Sequence, residues 1–210
     1  MRARERIACP ILAPAKQTEC CDTIMQADYS ACVFLYYMDT FTEQFIRACK
    51  PGGHILDLGA HVGKYSATFA DRDFLVTAVD HACDDPGLDG VRWAKADIKE
   101  WLPTFSEEVM FDGIFMRNIL QFFSAEYATD ILFPLLDKHL RTGGVIAIET
   151  FYADPAPSFL VPFASYWSAE KLKKQFSAWK VLHSKQYKEE REALKGGRHL
   201  FRITDVIVKN

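Results

Sequence analysis

Asp57-Leu58-Gly59-Ala60-His61-Val62-Gly63-Lys64-Tyr65-Ser66 is the stretch whose reading decides the fold. An apolar run, His54-Ile55-Leu56, leads into it, and a segment able to coil as a helix follows. A second apolar run, Phe74-Leu75-Val76-Thr77-Ala78-Val79, then ends in Asp80. Strand, glycine turn, helix, strand, acid is the layout of a nucleotide-binding βαβ unit. Glycines let backbone approach a ligand where a Cβ would collide. An acid at the end of the second strand can accept two hydrogen bonds from a ribose diol.

The same alternation runs outward from this unit. Upstream, Phe34, Leu35, Met38, Phe41, Phe45 and Cys49 recur at three- and four-residue steps, which predicts a helix stopped by Lys50-Pro51-Gly52-Gly53. Downstream, strands are expected at about 54–58, 74–79, 91–94, 111–116 and 145–149, with Val145-Ile146-Ala147-Ile148-Glu149 reading as a strand buried on both faces. Ser124 can cap a helix to about Leu140, and Ser168 one through Phe176. Trp179–Tyr187 and Leu200–Val208 read as two strands joined by a charged, solvated loop at 188–192. Alternating units first and a hairpin last predict an α/β fold: a doubly wound, mostly parallel seven-stranded sheet with a C-terminal antiparallel hairpin. Residues 1–33 read as an N-terminal arm and 34–210 as one domain.

Bulk properties narrow the class. A chain of 210 residues, 49% hydrophobic and 25% charged, can bury a core of its own. The net charge of −3 supplies no global basic field for nucleic acid or anionic lipid. The N-terminal apolar stretch is short and broken by Pro10 and Pro14, so a cytoplasmic protein is expected, with no membrane partner and as monomer or homodimer. The six cysteines have no zinc-clip spacing, so no metal site is expected, and Cys20-Cys21 read as reduced thiols.

With these residues in hand, the chain resembles the class I S-adenosylmethionine-dependent methyltransferases, and in layout the small tellurite-resistance-type methyltransferases. Element order carries the resemblance over 34–210, and its specific part is 54–152. The family's Asp/Glu-x-Gly-x-Gly-x-Gly signature matches Asp57-Leu58-Gly59-Ala60-His61-Val62-Gly63, with histidine at the middle glycine. Histidine is one of the few residues other than glycine that visit φ > 0.

The resemblance implies an S-adenosylmethionine site on these positions. Asp57 would hold the donor's amino end, directly or by orienting the turn formed by Gly59, Ala60, His61 and Gly63. Asp80 would take the ribose. His81 either stacks on adenine or lies on the surface. Asp97 would face the adenine amino group and the Ile98 amide a ring nitrogen, although Asp97 can equally cap the next helix. Arg117 and Asn118, after the fourth strand, would line the donor. Gln121 and Tyr152 are the candidates on the catalytic side, with Phe122-Phe123 expected in the core.

The implied reaction is in-line methyl transfer to a small molecule: a thiol, chalcogen oxyanion, hydroxyl or amine. No obvious base stands out, which tilts the expectation to a soft acceptor or a readily ionised hydroxyl, with Glu149, Tyr152 or His61 as alternatives for a base. Two other readings stay open, a catalytically inactive donor-binding module and a nicotinamide-linked oxidoreductase. The latter expects Gly-x-Gly-x-x-Gly, whereas Gly59 and Gly63 are separated by three residues.

Overall fold

The computed structural model describes residues 39–152, 164–192 and 198–210. The proposed arm and the start of the first expected helix lie outside the described residues, as do Cys20-Cys21. The described part of that helix, α1, spans Thr40–Ala48. Asp39 caps it, its side chain accepting from the Thr42 amide. Phe41, Phe45 and Cys49 fall on its buried face, as their four-residue spacing requires.

Seven strands follow: β1 His54–Leu58, β2 Leu75–Asp80, β3 Val91–Lys95, β4 Phe111–Arg117, β5 Leu140–Phe151, β6 Lys180–Glu192 and β7 Arg198–Lys209. They form one sheet in the order β3-β2-β1-β4-β5-β7-β6. The β3-β2-β1-β4-β5 pairings are parallel, whereas β7 runs antiparallel to both β5 and β6. Strand order reverses between β1 and β4, and in an open α/β sheet that reversal opens a crevice at the carboxyl edge. The glycine turn sits beside it. The expected fold class is therefore observed.

The remaining α-helices among the described residues are α2 Lys64–Ala70, the short α3 Ile98–Trp101, a composite α4, and α5 Ala169–Gln175. In α4, Ala125–Tyr127 and Phe133–Lys138 are α-helical and flank a π-helical turn over Ala128–Leu132. Pro134 has no amide to give a carbonyl one turn back, which is a recurrent cause of such a register change.

Two apolar layers sandwich the sheet. On one face α1 and α2 pack over Ile55, Phe115, Ala147 and Ile207. The Phe115 ring lies 5.1–5.8 Å, centroid to centroid, from the rings of Phe41, Phe45, Tyr65 and Phe69. On the other face Leu56, Ile114, Ile146 and Val206 meet Leu132, Phe133, Trp167 and Phe176.

The structure corrects the sequence in three places. Residues 188–192 continue β6 and pair with 198–202 of β7, so the charged run is strand and not loop. Its composition read as solvated, but a two-stranded ribbon reaching past the sheet can leave side chains in water. Strand β5 begins at Leu140, before Gly143-Gly144, and the register between β4 and β5 shifts from Phe111↔Leu140 to Gly113↔Val145. Phe123 is buried as expected, but Phe122 is 58% exposed, because the 3-10 turn Leu120–Phe122 points successive side chains in different directions.

Gly113 fixes how closely α1 approaches the sheet. A Cβ there would lie 2.7 Å from the Cys49 sulfur and 2.9 Å from the Phe45 ring. Gly113→Ala should therefore cost about 1–3 kcal/mol through overpacking, read as a lower urea midpoint with unchanged far-ultraviolet circular dichroism. An unchanged midpoint would show that α1 is free to move away.

Candidate donor-binding site

The glycine turn is built from backbone. The Gly59 and Ala60 amides both donate to the Val79 carbonyl, at 2.9 and 3.0 Å, and the Gly63 amide closes the turn on Ala60. Gly59, His61 and Gly63 all have positive φ, at 76°, 53° and 79°. Histidine thus occupies a left-handed position, as its place in the signature suggested. The two glycines also answer to protein neighbours. A Cβ on Gly59 would meet Ile119 at 2.9 Å, and one on Gly63 would meet Leu88 at 2.5 Å.

Asp80 joins this turn to the loop after β2. One carboxylate oxygen accepts from the His61 amide at 2.9 Å. The other accepts from the amides of Ala82 and Cys83, at 2.8 and 3.1 Å. The Asp80 carbonyl receives the Ala96 amide at 3.0 Å, anchoring the segment after β3. A carboxylate offers about four acceptor positions, so the oxygen facing His61 keeps one for a hydroxyl.

Asp57 lies deeper. It is 3% exposed and accepts a 2.6 Å hydrogen bond from the Ser66 hydroxyl of α2. Burial pushes its carboxyl up to about 7; the Ser66 bonds oppose this and the nearby Asp80 charge adds to it. Of its two expected roles, orienting the turn through α2 is the one this contact supplies.

The other expected residues are placed as follows. His81 is exposed. Asp97 caps α3, its side chain accepting from the Lys99 amide at 2.8 Å, and Ile98 is buried behind it. Asn118, at φ 54°, gives its amide to the Glu149 carbonyl, and its side-chain oxygen has no hydrogen-bond partner among the described residues. Gln121 is 2% exposed; its side chain accepts from Thr150 at 3.3 Å and its carbonyl from Ala164 and Ser165. A role for the Gln121 side chain at the methyl requires the Thr150 bond to open. Tyr152 is half-buried just beyond β5.

The Arg117 side chain is committed to a clamp. Its Nε and Nη2 reach Glu149 at 3.1 and 2.9 Å, its Nη1 reaches Asp39, and its plane lies 4.7 Å from the Tyr65 ring centre. Burial works against the Asp39 charge, but Arg117 and Thr42 outweigh it and hold the carboxyl below its ordinary range. Sequence reasoning missed Asp39, Ile119 and Leu88. Asp39 carries a local cap signal, but its contact with Arg117, like those of Ile119 with Gly59 and Leu88 with Gly63, joins distant elements.

No protein-family model matches the chain. Trans-aconitate 2-methyltransferase of Azoarcus sp. (strain BH72) is 30% identical over 124 residues, covering 55% of this chain. The chain spans about half, 46%, of that relative's length. Among solved structures, TehB of Haemophilus influenzae superposes with a TM-score of 0.68 at 18% identity, covering 83% of this chain and 63% of that one. The 1,6-didemethyltoxoflavin-N1-methyltransferase of Burkholderia thailandensis, solved with S-adenosylhomocysteine, gives 0.56 at 20% identity over 75% of this chain and 71% of that one. N-methyltransferase NodS of Bradyrhizobium japonicum WM9 gives 0.58 at 15% identity over 80% of this chain and 93% of that one.

Asp57 makes stability depend on pH. Its folded value lies above its ordinary one, so the folded state binds the extra proton and this contribution is full below about pH 4. It is lost as pH rises through about 7. Asp57→Asn should flatten that part of the decline in urea midpoint between pH 4 and 8. An identical slope in the variant would mean that Asp57 is ionised throughout. The glycine turn, the strand-end acid, the reversed strand order and these neighbours agree: the fold is that of the class I S-adenosylmethionine-dependent methyltransferases.

Proposed function

We propose that this chain is an S-adenosylmethionine-dependent methyltransferase acting on a small-molecule acceptor. The observation that carries the reading is the Asp80 bridge, which holds a left-handed glycine turn open at the sheet's topological switch point. The related sequence and the structural neighbours, all methyltransferases, support it.

The residues present fit such a donor. Asp80 keeps an acceptor position for a ribose hydroxyl. The Asn118 oxygen, buried and unpartnered among the described residues, offers an acceptor to an α-ammonium group. Asp97 and Ile98 stand after β3 for the adenine, with His81 exposed nearby. Asp57 acts through Ser66, setting α2 and the turn of Gly59, Ala60, His61 and Gly63. Arg117 contributes backbone on the β4 side while its side chain braces α1.

When bound, the donor supplies a methyl carbon already activated by its sulfonium, so the protein's work is to position the partners and exclude water. Asp80, Asn118 and the turn fix one partner at the carboxyl edge. Tyr152 and Gln121 border the region after β4 and β5 and are the acceptor-side candidates.

S-adenosylhomocysteine should raise the melting temperature and NADH should not; the reverse would point to an oxidoreductase. Asp80→Ala should weaken S-adenosylhomocysteine binding by at least about tenfold, the scale of a lost charge-assisted pair. Undiminished affinity in calorimetry would reject the ribose assignment.

A further inference from the structure

We propose that the methyl acceptor is an amine whose ammonium group docks against Asp205, which takes one of its protons. The proposal deepens the methyltransferase reading and rests on it.

The sheet carries a charged row on the face covered by α1 and α2. Arg117 on β4 stands beside Glu149 on β5, Glu149 beside Asp205 on β7, and Asp205 beside Lys185 on β6. The row lies at the carboxyl ends of β4 and β5. Arg117 is already committed, to Glu149 through Nε and Nη2 and to Asp39 through Nη1, with its plane against Tyr65. Asp205 is 4% exposed, and its Oδ1 has no hydrogen-bond partner among the described residues. Tyr187 hydrogen-bonds its carboxylate.

Three carboxylates therefore gather around one guanidinium, and the third keeps an open acceptor. A buried acid with one oxygen left unpartnered, on a strand segment that is otherwise apolar except for Thr204, works against folding. A cation arriving from outside would compensate it. Among the described residues no group of three or more His, Cys, Asp or Glu is disposed to hold a metal ion. An ammonium needs only one or two acceptors and neutralises the surplus. An anionic acceptor would be repelled by Asp39, Glu149 and Asp205 together.

The proton transfer breaks one N–H bond and forms one O–H bond on Asp205. The electron pair stays on nitrogen, which becomes the nucleophile, and the acid later releases its proton to water. Burial first, and then the Glu149 charge, push Asp205 up to about 7, against the Tyr187 bond and Arg117, which suits a proton acceptor near neutrality. The other charged or titratable groups on this face are Asp39, Tyr65, His183 and Lys185, and none stands between Asp205 and Glu149 in the register. Of the acceptors expected from sequence, a thiol, chalcogen oxyanion, hydroxyl or amine, this selects the amine, against the tilt toward soft groups.

The test is calorimetric binding of benzylamine and putrescine, with benzyl alcohol, benzyl mercaptan and benzoate as comparisons, to the full chain holding S-adenosylhomocysteine. The amines should bind in preference to the comparisons, more tightly as pH rises through about 7. Asp205→Asn should lose at least about tenfold of that affinity while keeping its S-adenosylhomocysteine thermal shift. Amine binding equal in the variant, or equal to that of the alcohol, would overturn the proposal. If Asp205→Asn fails to fold, the wild-type pH profile decides, and a flat one overturns it. An absent S-adenosylhomocysteine thermal shift in the wild-type chain would instead reject the methyltransferase reading.

Discussion

The Asp80 carboxylate is the interaction on which the site depends. It accepts three backbone amides from two loops, the glycine turn after β1 and the segment after β2. One of those amides belongs to His61, whose left-handed conformation is unfavourable for a residue with a Cβ. The hydrogen bond from His61 to Asp80 offsets part of that cost. The Val79 carbonyl, with the Gly59 and Ala60 amides on it, pins the turn to the end of β2. The turn is thereby set before any ligand arrives, so less ordering remains to oppose binding.

Around that bridge the fold separates two tasks by sheet face. Beneath the turn, Asp57 and Ser66 tie β1 to α2, and Phe115 fills the space among Phe45, Tyr65 and Phe69. Farther along the same face, Arg117, Glu149 and Asp205 replace that apolar packing with charge. On the opposite face Gln121 and Thr150 hold the segment resuming at Ala164 against β5. The residues around the glycine turn are thus braced by local contacts, whereas the charged row runs across four strands and is braced by α1.

The difference tracks what was legible in the sequence. The βαβ unit could be read because its parts are local: a hydrophobic run, a glycine spacing and an acid at a strand end. Asp97 as a helix cap and Ser168 as another were legible for the same reason. Gln121 was expected on the catalytic side and Phe122 in the core, but the turn after β4 is 3-10, with three residues per turn, and it buries Gln121 against Thr150 and leaves Phe122 exposed. The Glu149–Asp205 pair was hidden because it depends on the register between strands more than fifty residues apart. The charged run at 188–192 looked like a loop since composition cannot report a partner strand.

The most direct test of the central claim is a crystal structure of the chain grown with S-adenosylhomocysteine. The account predicts the ligand in the crevice between β1 and β4, a ribose hydroxyl on the Asp80 carboxylate and its amino group beside Asn118. A ligand bound elsewhere, or a crevice filled by the protein's own side chains with Asp80 bonded only to backbone, would contradict it.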